Sequence, residues 1–400
     1  MRVAAMAKVA AASPSNRILS LDIIRGMFLV VILIDHIELY PSLFAFFTGE
    51  GRLYVSAAEG FFFLSGIVVG LVYRRRLVRG FSFIFKRLWR RAAELYLLSV
   101  AFTLFFTWLA IVSRHTNIKY GLPSEINWPH ILYQSVILHY TFGWADFLSR
   151  FAILTFLAPF AIYLLARGQL RLLASASILL WFFRGTNFIA AWQLIFCLAL
   201  IIGFYWNEIN DWAASVRQPL KSRLRQTVMI SAGVTFAFSY LSMYLMSYLQ
   251  NAAAHQPLWL NNFTWTWNNF DQKIWHYCDK FTLGPGRLAF FLLWFSALYM
   301  IVEKYQPAIR KYSRDWLLIL GQNSLFVYIA HAFIVFIFKM FIPAQTSFLQ
   351  NTFITALALL ALAGAMTLRA LRDDQLGTRP FSDFYLLPIF RRSNSATTDK

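Results

Sequence analysis

An arginine and a histidine lie on one face of the first apolar segment of this chain. Arg25 and His36 are eleven residues apart in LDIIRGMFLVVILIDHIELY, and Asp22 falls on the same stripe. On a helix this spacing gives three turns plus about 20°, and an axial separation of about 16 Å. A charged side chain in a spanning helix costs about 3 kcal/mol and usually faces a polar cavity. The pattern therefore indicates a polar site within the membrane, although a snorkelling arginine and a histidine satisfied by a neighbouring helix explain it equally well.

A carboxylate follows near the start of the next apolar segment, 53–73. Counted from the ends of their segments, Glu59 and His36 both lie about 8 Å below the same surface. Consecutive helices are usually neighbours, so we predict that Glu59 meets His36 and orients its imidazole, as a general base requires. A purely structural ion pair is the alternative. Ser65 lies deeper on the same helix and is added to the predicted path of an incoming donor.

Polar side chains recur at a helical spacing in QNSLFVYIAHAF, at 322–333. Ser324, Tyr328 and His331 follow the i, i+4, i+7 pattern, which predicts one polar helix face lining a cavity. Three more side chains are predicted near the depth of His36 or at the outer end of a span, namely Trp192, Gln193 and Arg287.

The cysteines and histidines do not indicate a metal site. Cys197 lies in an apolar run and Cys278 in a polar segment, and neither belongs to a CxxC, HExxH or Cys/His cluster. We therefore predict no metal, no disulfide and no bound cofactor.

The composition indicates which elements position these side chains. The chain is 59% hydrophobic and only 14% charged, whereas soluble proteins carry about 25% charged residues. It is therefore predicted to be an all-α, polytopic membrane protein. Runs of about 20 apolar residues predict ten transmembrane helices at 20–41, 53–73, 92–112, 146–166, 172–184, 187–206, 227–249, 287–303, 316–340 and 350–369.

Charge sets the predicted orientation. The segment 74–91 holds eight Lys or Arg residues and no acidic one, which places it in the cytoplasm by the positive-inside rule. With ten spans, both termini are then cytoplasmic. Because the net charge of +19 sits between apolar runs, the expected partner is the lipid bilayer and not nucleic acid.

The predicted organisation is a cytoplasmic tail, one transmembrane domain and a second cytoplasmic tail, at 1–16, 17–370 and 371–400. Residues 128–140 are predicted to form a short helix at the outer interface, whose entry into the membrane stays open. Residues 250–286 are predicted to be the one long outer loop.

Ionisable side chains near one surface and basic residues at the other suit two classes of protein. One is an acyltransferase that takes an activated acyl group inside and delivers it outside. The other is a transporter or flippase for an anionic envelope precursor. Transporters commonly show internal repeats or paired broken helices, and the sequence shows neither clearly.

Five segments resemble one known family. LSLDIIRGMFLVVILIDHIELY and AAEGFFFLSGIVVGLVYRRR, with AWQLIFCLA, DKFTLGPGRLAFF and GQNSLFVYIAHAF later, resemble the OpgC-type membrane acyltransferases over about 17–370. These are relatives of the acyltransferase-3 superfamily, in which an arginine and a histidine on the first span have ten residues between them.

The resemblance implies an enzyme of the bacterial inner membrane with ten spans. It would move an acyl group, commonly succinyl, from cytoplasmic acyl-CoA to a hydroxyl of a periplasmic glucan. An acetyltransferase acting on another envelope polysaccharide is the alternative within the same class. His36 would be the catalytic histidine assisted by Glu59, Arg25 and Asp22 would lie along the donor path, and the oligomeric state stays unknown.

Overall fold

The computed structural model describes residues 18–113, 122–123, 125–251, 257–342 and 347–375. The predicted tails lie outside these residues, apart from the first positions of 371–400. The described residues form α-helices joined by turns, and no strand occurs among them. The α-helices are α1 (Leu19–Ile37), α2 (Leu43–Thr48), α3 (Ala57–Arg75), α4 (Phe81–Ser113), α5 (Trp128–Val136), α6 (Asp146–Ala166), α7 (Leu170–Phe182), α8 (Phe188–Phe204), α9 (Trp206–Ser215), α10 (Gln218–Asn251), α11 (Leu258–Tyr277), α12 (Pro285–Ser313), α13 (Trp316–Gln322), α14 (Ser324–Phe341) and α15 (Phe348–Gln375).

The chain divides into two compact units. The first comprises Gly51–Ala297, and the second comprises the described parts of Arg17–Glu50 and Leu298–Lys400. The first unit therefore contains α3 to α11 and the start of α12. The second contains α1, α2, the remainder of α12, and α13 to α15.

Each of the ten predicted spans contains a helix, but fewer meet the length and apolarity of a membrane span. Among the described residues seven helices do so, or eight if α8 and α9, bent by 69°, count as one span. The other two predicted spans fall short for different reasons. α1 carries Asp22, Arg25 and Asp35, and α7 has only 13 residues. An all-helical membrane protein is confirmed, whereas the count of ten and the side of the termini stay predictions.

In the first unit, α3 and α8 pack with their backbones in contact. A β-carbon added to Gly203 would lie 2.0 Å from the carbonyl oxygen of Ile67, and one added to Gly66 would lie 2.5 Å from that of Phe196. Phe62 stacks on Phe151 of α6 with ring centroids 4.5 Å apart. Small residues that allow such close approach are typical of helix packing within membranes.

The second unit contains a similar crossing between α1 and α13. A β-carbon added to Gly26 would lie 1.9 Å from the carbonyl oxygen of Leu317, and one added to Gly321 would lie 1.8 Å from that of Asp22. The two glycines therefore form both sides of one contact. This contact fixes α1, the helix that carries His36, against the segment that precedes α14.

We expect Gly321→Ala to destabilise the protein by about 1–3 kcal/mol, because overpacking forces the backbones apart. The matched control is Gly364→Ala on α15, where an added β-carbon meets nothing within 4 Å. That change should be neutral or stabilising by up to about 1 kcal/mol, since alanine favours a helix over glycine. Thermal unfolding of the two variants in the same detergent measures the difference. Equal unfolding midpoints for the two variants would show that α1 and α13 can move apart without loss of stability.

Candidate active site

In the second unit, the imidazoles of His36 and His331 are in direct contact. Nδ1 of His36 lies 2.9 Å from Nε2 of His331, a hydrogen-bond distance. The ring centroids are 5.0 Å apart and the planes are inclined by 36°. His36 is in the last turn of α1, whereas His331 is in the middle of α14. Two helices distant in sequence thus bring two proton-carrying groups together.

The surroundings of His331 are almost closed to solvent. Its side chain is 1% exposed, and its other ring nitrogen, Nδ1, lies 3.3 Å from the carbonyl oxygen of Tyr328 on the same helix. The ring of Tyr328 lies beside it, with centroids 5.3 Å apart. Both nitrogens of His331 therefore have a polar neighbour, as a buried imidazole requires.

The other charged side chains on α1 and at its C-terminal end have partners in the second unit. Arg25 and Asp22 face each other at 3.9 Å, within the distance of a loose ion pair. Asp35 accepts a hydrogen bond of 2.7 Å from the hydroxyl of Thr48 on α2. Beyond the end of α1, Glu38 binds Lys339 at 2.6 Å. The charges that make α1 unusual for a membrane helix thus have partners within their own unit.

In the first unit, Glu59 and Arg287 form a buried ion pair. The carboxylate is 0% exposed and the guanidinium 1%, and Nε of Arg287 donates to Oε1 of Glu59. The second carboxylate oxygen accepts from the backbone N–H and the hydroxyl of Ser56, at 2.9 and 2.6 Å. A buried carboxylate needs such full satisfaction, because burying an uncompensated charge costs several kcal/mol.

The turn before α12 supplies a further acceptor to Arg287. Nη1 of Arg287 donates to the carbonyl oxygen of Cys278 at 3.2 Å. Asp279 holds this turn by accepting from the N–H and the hydroxyl of Thr282, at 2.8 and 2.6 Å. Burial would raise the pKa of Asp279, but these bonds outweigh it and lower the pKa below its usual value. The turn is therefore formed around a carboxylate that stays ionised at neutral pH.

The family model described as OpgC protein matches residues 17–373, which is most of the chain. The chain belongs to the OpgC protein family. No curated protein matches it, and no solved structure does.

Membership confirms the resemblance seen in the sequence and makes the chain an OpgC-type membrane protein. The family indicates an enzyme of the acyltransferase type, and the apolar helices indicate several passes through a membrane. The donor, the acceptor and the membrane are not specified by the match.

The two units of this OpgC-type protein hold different members of the predicted site. His36, Tyr328 and His331 come together in the second unit, where Asp22 and Arg25 also pair. Glu59 and Arg287 come together in the first. That Glu59 assists His36 stays a prediction.

The other predicted site residues are placed as follows. Trp192 is buried and donates to the carbonyl oxygen of Lys280 at 3.2 Å. Gln193 accepts from the hydroxyl of Ser177 at 2.7 Å and donates to its carbonyl at 2.8 Å, which ties α8 to α7. Ser65 and Ser324 are half-buried on α3 and α14.

Two contacts were missed from the sequence. The first is the pairing of His36 with His331. Both residues lie 15 or 16 positions after the inner ends of their predicted spans, so equal depth was the available signal. The second is the role of Ser56, whose spacing to Glu59 is that of a capping box at a helix start. That motif would have indicated that one oxygen of the Glu59 carboxylate accepts hydrogen bonds at the N-terminus of its helix.

Proposed function

We propose that this OpgC-type protein is an inner-membrane O-acyltransferase. It moves an acyl group, which we take to be succinyl, from cytoplasmic acyl-CoA to a hydroxyl of a periplasmic glucan. Both termini then lie in the cytoplasm, and His36 is the catalytic residue.

One observation carries the proposal within the family. His36 is on a charged helix of a membrane protein, and the buried imidazole of His331 holds its ring by a hydrogen bond of 2.9 Å. A structural histidine satisfied by a neighbouring helix would make the same contact, and membership in the OpgC family favours the catalytic role. An oriented imidazole is the usual general base for activating a hydroxyl group.

The proposed reaction exchanges a thioester for an ester. His36 takes the proton of the acceptor hydroxyl while the oxygen attacks the acyl carbonyl. The bond between carbonyl carbon and sulfur breaks, and the departing CoA sulfur receives the proton from His36. The products are the acylated sugar and free CoA. In the covalent variant of this scheme the imidazole carries the acyl group before the sugar takes it.

The donor is expected to meet basic side chains before it reaches the membrane. The cations of 74–91 suit the phosphates of CoA, and α4 continues this basic segment into an apolar helix. Arg25 and Asp22 are proposed to lie on the donor path, as the family resemblance implies. The two side chains face each other at 3.9 Å.

The choice of succinyl rests on the family resemblance more than on Arg287. A succinyl carboxylate needs a cation, and Nη2 of Arg287 is buried with no hydrogen-bond partner among the residues that the structure describes. The charge of Arg287 is nevertheless balanced by Glu59. A second carboxylate there would give the group a net negative charge.

The test uses purified protein, labelled succinyl-CoA and glucan. The expected products are free CoA and labelled sugar, and a parallel reaction with labelled acetyl-CoA decides between the two acyl groups. Thioester cleavage that depends on added glucan would support glucan as the acceptor. Transfer to a different envelope polysaccharide, with none to glucan, would show that glucan is not the acceptor.

The transporter alternative is tested by the same material in vesicles. The helical break between α13 and α14 and the bend between α8 and α9 are features that transporters also show. Uptake of an anionic precursor without thioester cleavage would favour a transporter and would reject the acyltransferase.

A further inference from the structure

We infer that His331 is a positioning residue that holds His36 in the tautomer with hydrogen on Nδ1 and the lone pair on Nε2. The tautomer follows from contacts within the second unit. Its consequence for catalysis rests on the proposed function.

The carbonyl oxygen of Tyr328 can only accept a hydrogen bond. Nδ1 of His331 lies 3.3 Å from that oxygen, so Nδ1 carries the hydrogen. A neutral imidazole has one N–H and one lone pair. The lone pair of His331 is therefore on Nε2, where it faces His36.

The orientation of His331 also constrains His36. Nδ1 of His36 is 2.9 Å from Nε2 of His331, and one of the two must donate. Because Nε2 of His331 can only accept, Nδ1 of His36 donates, and its own lone pair is on Nε2. The carbonyl of Tyr328 thus decides, through two rings, which nitrogen of His36 is basic.

The opposite arrangement is unfavourable on physical grounds. If Nε2 of His331 carried the hydrogen, the lone pair of its Nδ1 would face the lone pairs of the Tyr328 oxygen. His331 is 1% exposed, so bulk water does not reach this contact to relieve the repulsion. Two buried acceptors in contact leave both without a hydrogen bond, which disfavours this tautomer.

The consequence is that His36 presents a basic nitrogen at the end of the ring away from His331. A hydroxyl group can give its proton only to that nitrogen. In the other tautomer this nitrogen would carry hydrogen and could not act as a base. A general base contributes about 10²–10⁴-fold to a rate, and this contribution depends on the tautomer.

The experiment measures the tautomer directly in the protein without donor or acceptor. The chain has seven histidines, and nitrogen NMR of protein labelled at histidine distinguishes protonated from unprotonated ring nitrogens. His36→Gln removes one set of signals and thereby assigns His36. At a pH where both rings are neutral, His36 should show hydrogen on Nδ1. Hydrogen on Nε2 would overturn the inference.

Three variants of His331 give a second measurement. The oxygen of glutamine reaches about as far as Nε2, so His331→Gln should keep the tautomer of His36. Asparagine and leucine cannot accept at that position, so His331→Asn and His331→Leu should release His36 to the tautomer with hydrogen on Nε2. Acyl transfer should fall about 10²-fold in these two variants and stay within about 10-fold of the original in His331→Gln.

The outcomes separate this inference from the proposed function. If the tautomer is unchanged in His331→Leu, His331 does not set it and the inference is wrong. If the tautomer changes as expected but the original protein transfers no acyl group, the inference stands and the proposed function fails.

Discussion

Replacement of His36 by alanine is expected to abolish acyl transfer while the protein still accumulates in the membrane. The variant loses the base, so the rate should fall by at least about 10²–10⁴-fold. The fold should persist, because losing the hydrogen bond to His331 costs about 1–3 kcal/mol. Release of CoA by purified protein and the quantity of protein in membranes are the two measurements.

The matched control is His276→Ala. His276 is an exposed histidine on α11, and the same change there should leave the rate of acyl transfer unaltered. Normal acyl transfer by the His36→Ala variant would remove His36 from the catalytic role. A variant absent from the membrane would instead assign His36 to folding.

The second large effect is expected at the buried pair of the first unit. Glu59→Ala should destabilise the protein by about 3–5 kcal/mol, because it leaves the charge of Arg287 buried without compensation. Proteins are stable by only about 5–15 kcal/mol in total, so much of the variant should be lost. The fraction that stays monodisperse in detergent during a temperature ramp is the measurement.

Two further variants decide whether charge is the cause. Glu94→Ala makes the same chemical change at an exposed carboxylate that contacts Arg90 and Arg91, and it should cost no more than about 1 kcal/mol. The double change Glu59→Ala with Arg287→Met removes both charges and should recover part of the stability. If the loss of stability in the double variant equals the sum of the losses in Glu59→Ala and Arg287→Met, the two side chains do not stabilise each other.

The helices were largely predictable, whereas their ends were not. Apolar runs mark where lipid would lie, but the backbone stays helical beyond them. α4 begins at Phe81, eleven residues before its predicted start at residue 92, because arginine and lysine are good helix formers. α11 occupies most of the predicted outer loop 250–286, since its apolar side chains alternate with asparagine and form no continuous run.

Helical spacing indicated which polar side chains share a helix face, but not which of them are in contact. Spacing along one helix placed Arg25 and His36, and Asp22 and Arg25 do pair one turn apart. The partner of an imidazole depends on which helices pack together, which no periodicity reveals. The sequence favoured Glu59 because it follows closely in the chain. That Glu59 assists His36 stays a prediction, whereas the contact that the structure shows within the second unit is with His331, 295 residues away.

The contact between α1 and α13 restricts how the chain can vary in length. Gly321 is fixed against Asp22, and His331 follows ten positions later on the next helix. One inserted residue in that interval would rotate the imidazole by about 100° and shift it by about 1.5 Å, away from His36. Substitutions there can be accommodated one side chain at a time. Insertions and deletions cannot, because the interval acts as a spacer of fixed length between the glycine contact and the imidazole of His331.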